Sequence, residues 1–79
     1  MTLEQASQTI KSVLGEIAPD ADCDALPADA DIRDALELDS LDFLNFVEML
    51  SQRSGQRIDE DDYPRLGTLA SGSEFLAGG

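Results

Sequence analysis

One hydroxyl stands between an acid and a leucine in the run Leu36-Glu37-Leu38-Asp39-Ser40-Leu41-Asp42-Phe43-Leu44, where an acidic loop meets the strongest apolar helix pattern of the chain. Asp39 suits an N-cap, since its carboxylate can accept from the free N–H groups of a first helical turn. Asp42, three residues later, is placed to reach back toward the cap as in a capping box. Ser40 then takes the first helical position, beside unpaired N–H donors and the positive end of the helix dipole. A phosphate joined to that hydroxyl would sit in a ready anion site, a reason for a serine here beyond capping. Hydrolytic chemistry on Ser40 is excluded, because the chain has no histidine and no base at a recognisable spacing.

The elements that must position Ser40 are helical. Thr2 and Gln5 form a capping-box pattern, and Leu3, Ala6, Ile10, Val13, Leu14 and Ile17 then recur at helical spacing. Gly15 weakens the last turn and Pro19 bars continuation, so the first helix should end near Glu16 or Ile17. From Ala18 to Leu38 a long loop rich in Asp and Ala is expected, anchored by Ile32, Leu36 and Leu38, with one short turn capped by Asp31. The second helix is predicted from Ser40 to about Arg53, stopped by Gly55. Acids from Asp59 to Asp62 suit a helix start, and Pro64 limits this segment to one or two irregular turns. Thr68 can cap a last helix carrying Leu69, Phe75 and Leu76. Gly72 and Ser73 in its middle should make it the weakest, and Ala77-Gly78-Gly79 should fray. No sustained alternation or hairpin signal supports a strand. The fold class predicted is all-α.

At about 100° per residue, Phe43, Leu44, Phe46, Val47 and Leu50 share one face of the second helix, the expected core side. Asp42, Asn45, Glu48 and Gln52 make the opposite face, with Leu41 in its middle and Met49 at its margin. A lone leucine ringed by polar groups beside Ser40 is what a small docking surface looks like.

Composition limits the partners. The 79 residues imply one domain, 1–79, with a thin core. Its 17 acids against five bases give a net charge of −12, which disfavours nucleic acid and anionic membranes and steers the chain toward basic patches on proteins. The acids cluster: Asp20, Asp22, Asp24, Asp29, Asp31, Asp34, Glu37, Asp39 and Asp42 face only Arg33. A single cysteine, Cys23, cannot form an internal disulfide and favours an intracellular, cytoplasmic setting. Flanked by Asp22 and Asp24, it is expected to be an unreactive loop residue. Neither a signal-peptide pattern nor a membrane-length apolar run is visible.

In this setting, Leu36-x-x-Asp39-Ser40-Leu41-x-x-Leu44 resembles the attachment motif of the acyl carrier proteins. The order of parts agrees over nearly the whole chain, including Ile58-Asp59-Glu60-Asp61-Asp62 and Leu66-x-Thr68-Leu69 near its end. The resemblance implies a four-helix bundle with a long loop between helices one and two and a short third helix. It further implies that Ser40 is esterified by 4′-phosphopantetheine, donated from coenzyme A by a phosphopantetheinyl transferase. The arm's thiol would carry acyl groups as thioesters in fatty-acid, polyketide or related biosynthesis, and the chain itself would catalyse nothing. Asp39 resembles the acid that contacts the transferase and its metal. Leu41 resembles the apolar partner contact, with Asp42, Asn45, Glu48 and Met49 around it meeting acyl-transferring and acyl-modifying enzymes. A monomer that binds no metal of its own is expected. Asn45, Ser51 and Gln52 stand where carriers of primary fatty-acid synthesis usually have acids, and Arg53 and Arg57 add bases. Leu38 replaces a residue that is commonly small. With these departures a carrier of a specialised pathway fits at least as well as one of primary fatty-acid synthesis.

Three other patterns are weaker. Asp20-x-Asp22-x-Asp24 with Asp31 at the twelfth place faintly matches a calcium loop, but Ala25 replaces its glycine and Pro27 intrudes. Gly78-Gly79 is similar to the ends of ubiquitin-like proteins, whose folds need strands. An unmodified acidic interaction module is the remaining alternative to a carrier.

Overall fold

The computed structural model describes residues 1–78 and shows helices joined by ordered loops, with no strand among the described residues. Helix α1 runs Leu3–Ile17 and opens with the expected box: Gln5 N–H donates to Thr2 Oγ1 and Thr2 N–H to Gln5 Oε1, both at 3.0 Å. Its buried stripe is Ala6, Ile10, Val13 and Leu14, with Ile17 packed at the edge. Leu3 belongs to the same spacing but is 56% exposed, beside Leu69 and Ala70 at the start of the last helix, so it is not a core residue.

The long loop is more structured than its composition suggests. A 3-10 turn at Cys23–Ala25 is capped by Asp22, and helix α2, Ile32–Ala35, is capped by Asp31 as expected. Cys23 and Leu26 are buried and anchor the loop together with Ile32 and Leu38, while Leu36 packs from its margin. After α2 the Leu38 N–H donates to the Arg33 carbonyl at 2.9 Å and Glu37 adopts φ 54°, the left-handed cap that usually takes glycine. That turn brings the chain sharply back, so Asp39 enters the next helix directly. The far side of the loop is pinned by Ile32 N–H to the Gly67 carbonyl (2.8 Å), Ala70 N–H to the Ala28 carbonyl (2.9 Å) and an isolated antiparallel bridge between Asp31 and Thr68.

Helix α3, the predicted second helix, spans Ser40–Ser54 and ends on Gly55 in the left-handed region (φ 70°), whose N–H returns to the Ser51 carbonyl. A side chain at that φ would be strained, which is why glycine stops the helix there. Phe43, Phe46, Val47 and Leu50 are buried as expected. Leu44 is not: it is 47% exposed. It lies about 100° round the helix from Phe43, at the rim of the apolar arc. There the neighbouring elements leave a groove instead of covering it.

Glu60–Leu66 forms a 3-10 helix containing Pro64, the irregular turns expected. Asp62 Oδ2 accepts from the Asp59 N–H at 3.1 Å, tightening its start. Helix α4, Leu69–Gly78, comes after Thr68, whose hydroxyl accepts from Ser71 N–H. In α4 the small residues Gly72 and Ser73 have a packing role, and one expectation, that its end frays, needs correcting. Gly72 and Ser73 are buried against α1, the helix α4 packs against most extensively, so their small size permits close approach. A Cβ on Gly72 would stand 3.1 Å from Ile10 Cδ1 and 3.6 Å from Leu66 Cδ2. Ala77 and Gly78 stay helical instead of fraying, because Gln56 Nε2 donates to the Leu76 carbonyl at 2.6 Å and ties this turn to the end of α3. Gly79, also expected to fray, lies outside the described residues.

Candidate functional site

The local sequence around Ser40 folds as its residue types dictate. Asp39 is extended (φ −83°, ψ −178°), and its Oδ1 accepts from Asp42 N–H at 2.7 Å. The reciprocal half of the expected box is missing, since the Asp42 carboxylate makes no bond to the Asp39 N–H. Ser40 begins the helix with its side chain exposed. Leu41 is 67% exposed, and with Asn45, Glu48 and Gln52 it forms one outward stripe at i, i+4, i+7 and i+11. Asp42 and Met49 are half-buried at the margins of this stripe, Met49 packing against the core. Leu41, Asp42, Asn45 and Glu48, the residues expected to meet partners, thus share the outer side of one rigid helix.

On the other side of Ser40 lies a groove of about 490 Å³. Three elements wall it: α3 through Ser40, Phe43 and Leu44, the loop through Asp31 and Arg33, and the 3-10 segment through Tyr63, Pro64 and Gly67. Its size is within the range of small-ligand sites. Its lining includes two aromatic rings, Phe43 meeting Tyr63 edge-on at 5.8 Å between ring centroids, and the buried Phe46 supports Phe43 at 6.0 Å, tilted. The Arg33 guanidinium lies over the Phe43 ring, 5.2 Å from its centroid, and its Nη2 stands 3.5 Å from Ser40 Oγ.

The sequence reading missed Arg33 and the groove. The available signal was a lone base among nine acids, seven residues before Ser40. The left-handed turn at Glu37, which folds that base back onto the serine, has no recognisable residue signature, since glutamate occupies a position usually held by glycine. Leu38, the departure from a small residue, is buried and pins this same turn. Arg53 is taken up within the chain, bonding Ser12 and pairing with Glu16 on α1, while Arg57 pairs with Asp59 at 2.9 Å.

Cys23 is buried in the core, not an open loop residue. Burial, then the Asp24 and Asp22 carboxylates, push its thiol above the ordinary range against a smaller lowering by Lys11. Two of the acids in the faint calcium pattern serve as caps, Asp22 toward Ala25 N–H and Asp31 toward Asp34 N–H.

An exposed hydroxyl at a helix N-terminus, beside a guanidinium and at the mouth of an apolar groove, suits a phosphate-linked arm. A family model for the phosphopantetheine attachment site matches residues 5–76. In three dimensions the chain is similar to the acyl carrier protein from Enterococcus faecalis, with a TM-score of 0.81 and 23% sequence identity, over 99% of this chain and 98% of that one. No curated protein sequence matches the chain. The chain belongs to the family of the phosphopantetheine attachment site, and its fold is that of an acyl carrier protein. It is a carrier and not an enzyme, its cofactor is covalent 4′-phosphopantetheine, and its role entails contact with a transferase and with modifying enzymes.

Proposed function

We propose that Ser40 is the attachment site, and that residues 1–79 form a single monomeric carrier unit presenting acyl thioesters to cytoplasmic enzymes of a specialised pathway. The observation that carries this is the placement of Ser40: an exposed hydroxyl on the first residue of α3, fixed by the Asp39 cap and opening onto the groove. The bound arm supplies a flexible tether ending in a thiol that takes an acyl group as a thioester. The chain's own residues hold the hydroxyl in position. Asp39 commits one carboxylate oxygen to the helix cap, which leaves the other directed to a transferase and its metal. The Ser40 hydroxyl accepts from the Arg33 guanidinium, which cannot take a proton, and Asp39 Oδ1 accepts from the Asp42 N–H, so the base that removes the serine proton is assigned to the transferase.

Leu41, Asp42, Asn45, Glu48 and Met49 make up the partner surface, an apolar centre with a polar and acidic rim, suited to enzymes with basic docking patches. The specialised assignment is supported by this stripe, where Asn45 and Gln52 are exposed and uncharged. Equal turnover by primary fatty-acid-synthesis enzymes on this carrier and on their own would count against it. The attachment is tested by intact mass after incubation with coenzyme A and a broad-specificity transferase. Wild type should gain one phosphopantetheine and Ser40→Ala none. Addition to the alanine variant would move the site elsewhere, and no addition to either would favour the unmodified interaction module.

A further inference from the structure

We propose that Arg33 is a positioning residue for the phosphate of the arm, holding the first atoms of the tether against the mouth of the groove. This rests on Ser40 being the attachment site. The guanidinium already approaches Ser40 Oγ at 3.5 Å, and the phosphorus of the arm is one covalent bond from that oxygen. A guanidinium presents several N–H donors in a planar fork that matches the paired oxygens of a phosphate. At 3.5 Å its bond to a neutral hydroxyl is long and weak, so most of that donor capacity is unspent.

Arg33 is also charge-available. Both ion pairs among the described residues are made by other arginines, Arg53 with Glu16 and Arg57 with Asp59. Arg33 instead lies over the Phe43 ring, 5.2 Å from its centroid, a contact that holds the guanidinium near Ser40 without neutralising it. The need for a cation here is electrostatic. Asp39 and Asp42 flank Ser40, Asp31 shares the groove wall, and an esterified phosphate adds one more negative charge to this cluster. The Asp39 carboxylate already occupies part of the positive helix end. Arg33 is the one base between Lys11 and Arg53, and it is the base that contacts Ser40, so it is placed to offset the added charge. A carboxylate on the cargo is the competing anion, but it would lie at the far end of the arm, whereas the phosphate is fixed beside Arg33 by its bond to Ser40.

The test compares apo and holo forms of wild type, Arg33→Gln and Arg33→Lys at low ionic strength, with the arm ending in a free thiol so that its phosphate is the only anion added. Intact mass first establishes loading of each protein. The readouts are the phosphorus-31 resonance of the arm, the nitrogen-15 signals of the Arg33 guanidinium, and the difference in melting temperature between holo and apo forms. In wild type the guanidinium signals should shift on loading, and the two forms should melt together. In Arg33→Gln the phosphorus resonance should move toward that of a solvated diester, and holo should melt below apo. Arg33→Lys should restore the melting difference in part, by charge, without restoring the full phosphorus shift. Guanidinium signals unmoved by loading, or a phosphorus resonance identical in wild type and Arg33→Gln, would overturn the proposal. A response that appears only when the thiol carries an acid-bearing acyl group would overturn it in favour of the cargo anion. Failure of wild type to gain mass, or mass gained by Ser40→Ala, would instead remove the attachment site on which the proposal stands.

Discussion

Three leucines of α3 differ in environment within ten residues, and their truncation separates docking from packing. Leu50 is fully buried, Leu44 lines the groove half-exposed, and Leu41 points outward. Leu50→Ala should cost about 2–5 kcal/mol through lost transfer energy and a cavity. Leu41→Ala should cost under about 1 kcal/mol and Leu44→Ala about 1–2 kcal/mol, because about a third of the leucine surface leaves water at the first place and about half at the second. Denaturant melts of the three variants check the order, and binding of a partner enzyme should fall for Leu41→Ala alone among the two mild variants. A Leu41→Ala melt as low as that of Leu50→Ala would make Leu41 a core residue. At this scale the cap and the serine were legible from sequence, since Asp39 and Ser40 act through their own backbone neighbours. Leu44 was not, because a residue at the rim of an apolar arc is covered or bared by elements elsewhere in the chain. Arg33 escaped for a related reason: its partner is reached only through the turn at Glu37.

Among the elements, α4 shows how a local weakness can serve packing. Glycine inside a helix costs about 1 kcal/mol relative to alanine, yet Gly72 faces Ile10 and Leu66, where a Cβ alone already crowds Ile10 and a branched side chain would reach further into both. Gly72→Val should therefore destabilise by about 1–3 kcal/mol through overpacking, in spite of removing a glycine from a helix. Thermal melts against wild type check this, and a Gly72→Val protein as stable as its parent would show that the α1–α4 contact is loose. Helix limits were readable because caps and stops are short-range: Thr2, Asp39, Thr68 and Gly55 each act within a few residues. The packing of α4 was not readable, since it is set by α1 and by Gln56, which holds the Leu76 carbonyl across 20 residues of sequence.

For the whole molecule, charge repulsion is the force that solution conditions can change most. A net charge of −12 on so small a chain is self-repulsive, and its reach lengthens as ionic strength falls. Added salt or a divalent cation should raise the melting temperature by screening the Asp20 to Asp42 segment. Magnesium and calcium should act alike, because Ala25 stands where a calcium loop needs glycine and Pro27 interrupts the ligand spacing, so no complete calcium loop is present. Melts at fixed ionic strength with sodium, magnesium or calcium check this. A saturable stabilisation by micromolar calcium alone would revive the calcium-loop pattern.

The bridge between Asp31 and Thr68, with Ile32 N–H bonded to the Gly67 carbonyl, has a mechanical consequence for the groove. It rivets the loop wall to the 3-10 wall, so those two sides swing as one leaf. Widening must then occur along the seam with α3, next to Phe43 and Leu44, while the rivet stays shut. The Ile32 amide works as a gauge of that hinge: its deuterium exchange should stay slow in apo and acyl-loaded protein alike. Exchange that quickens on loading would mean that the leaf splits along its own spine.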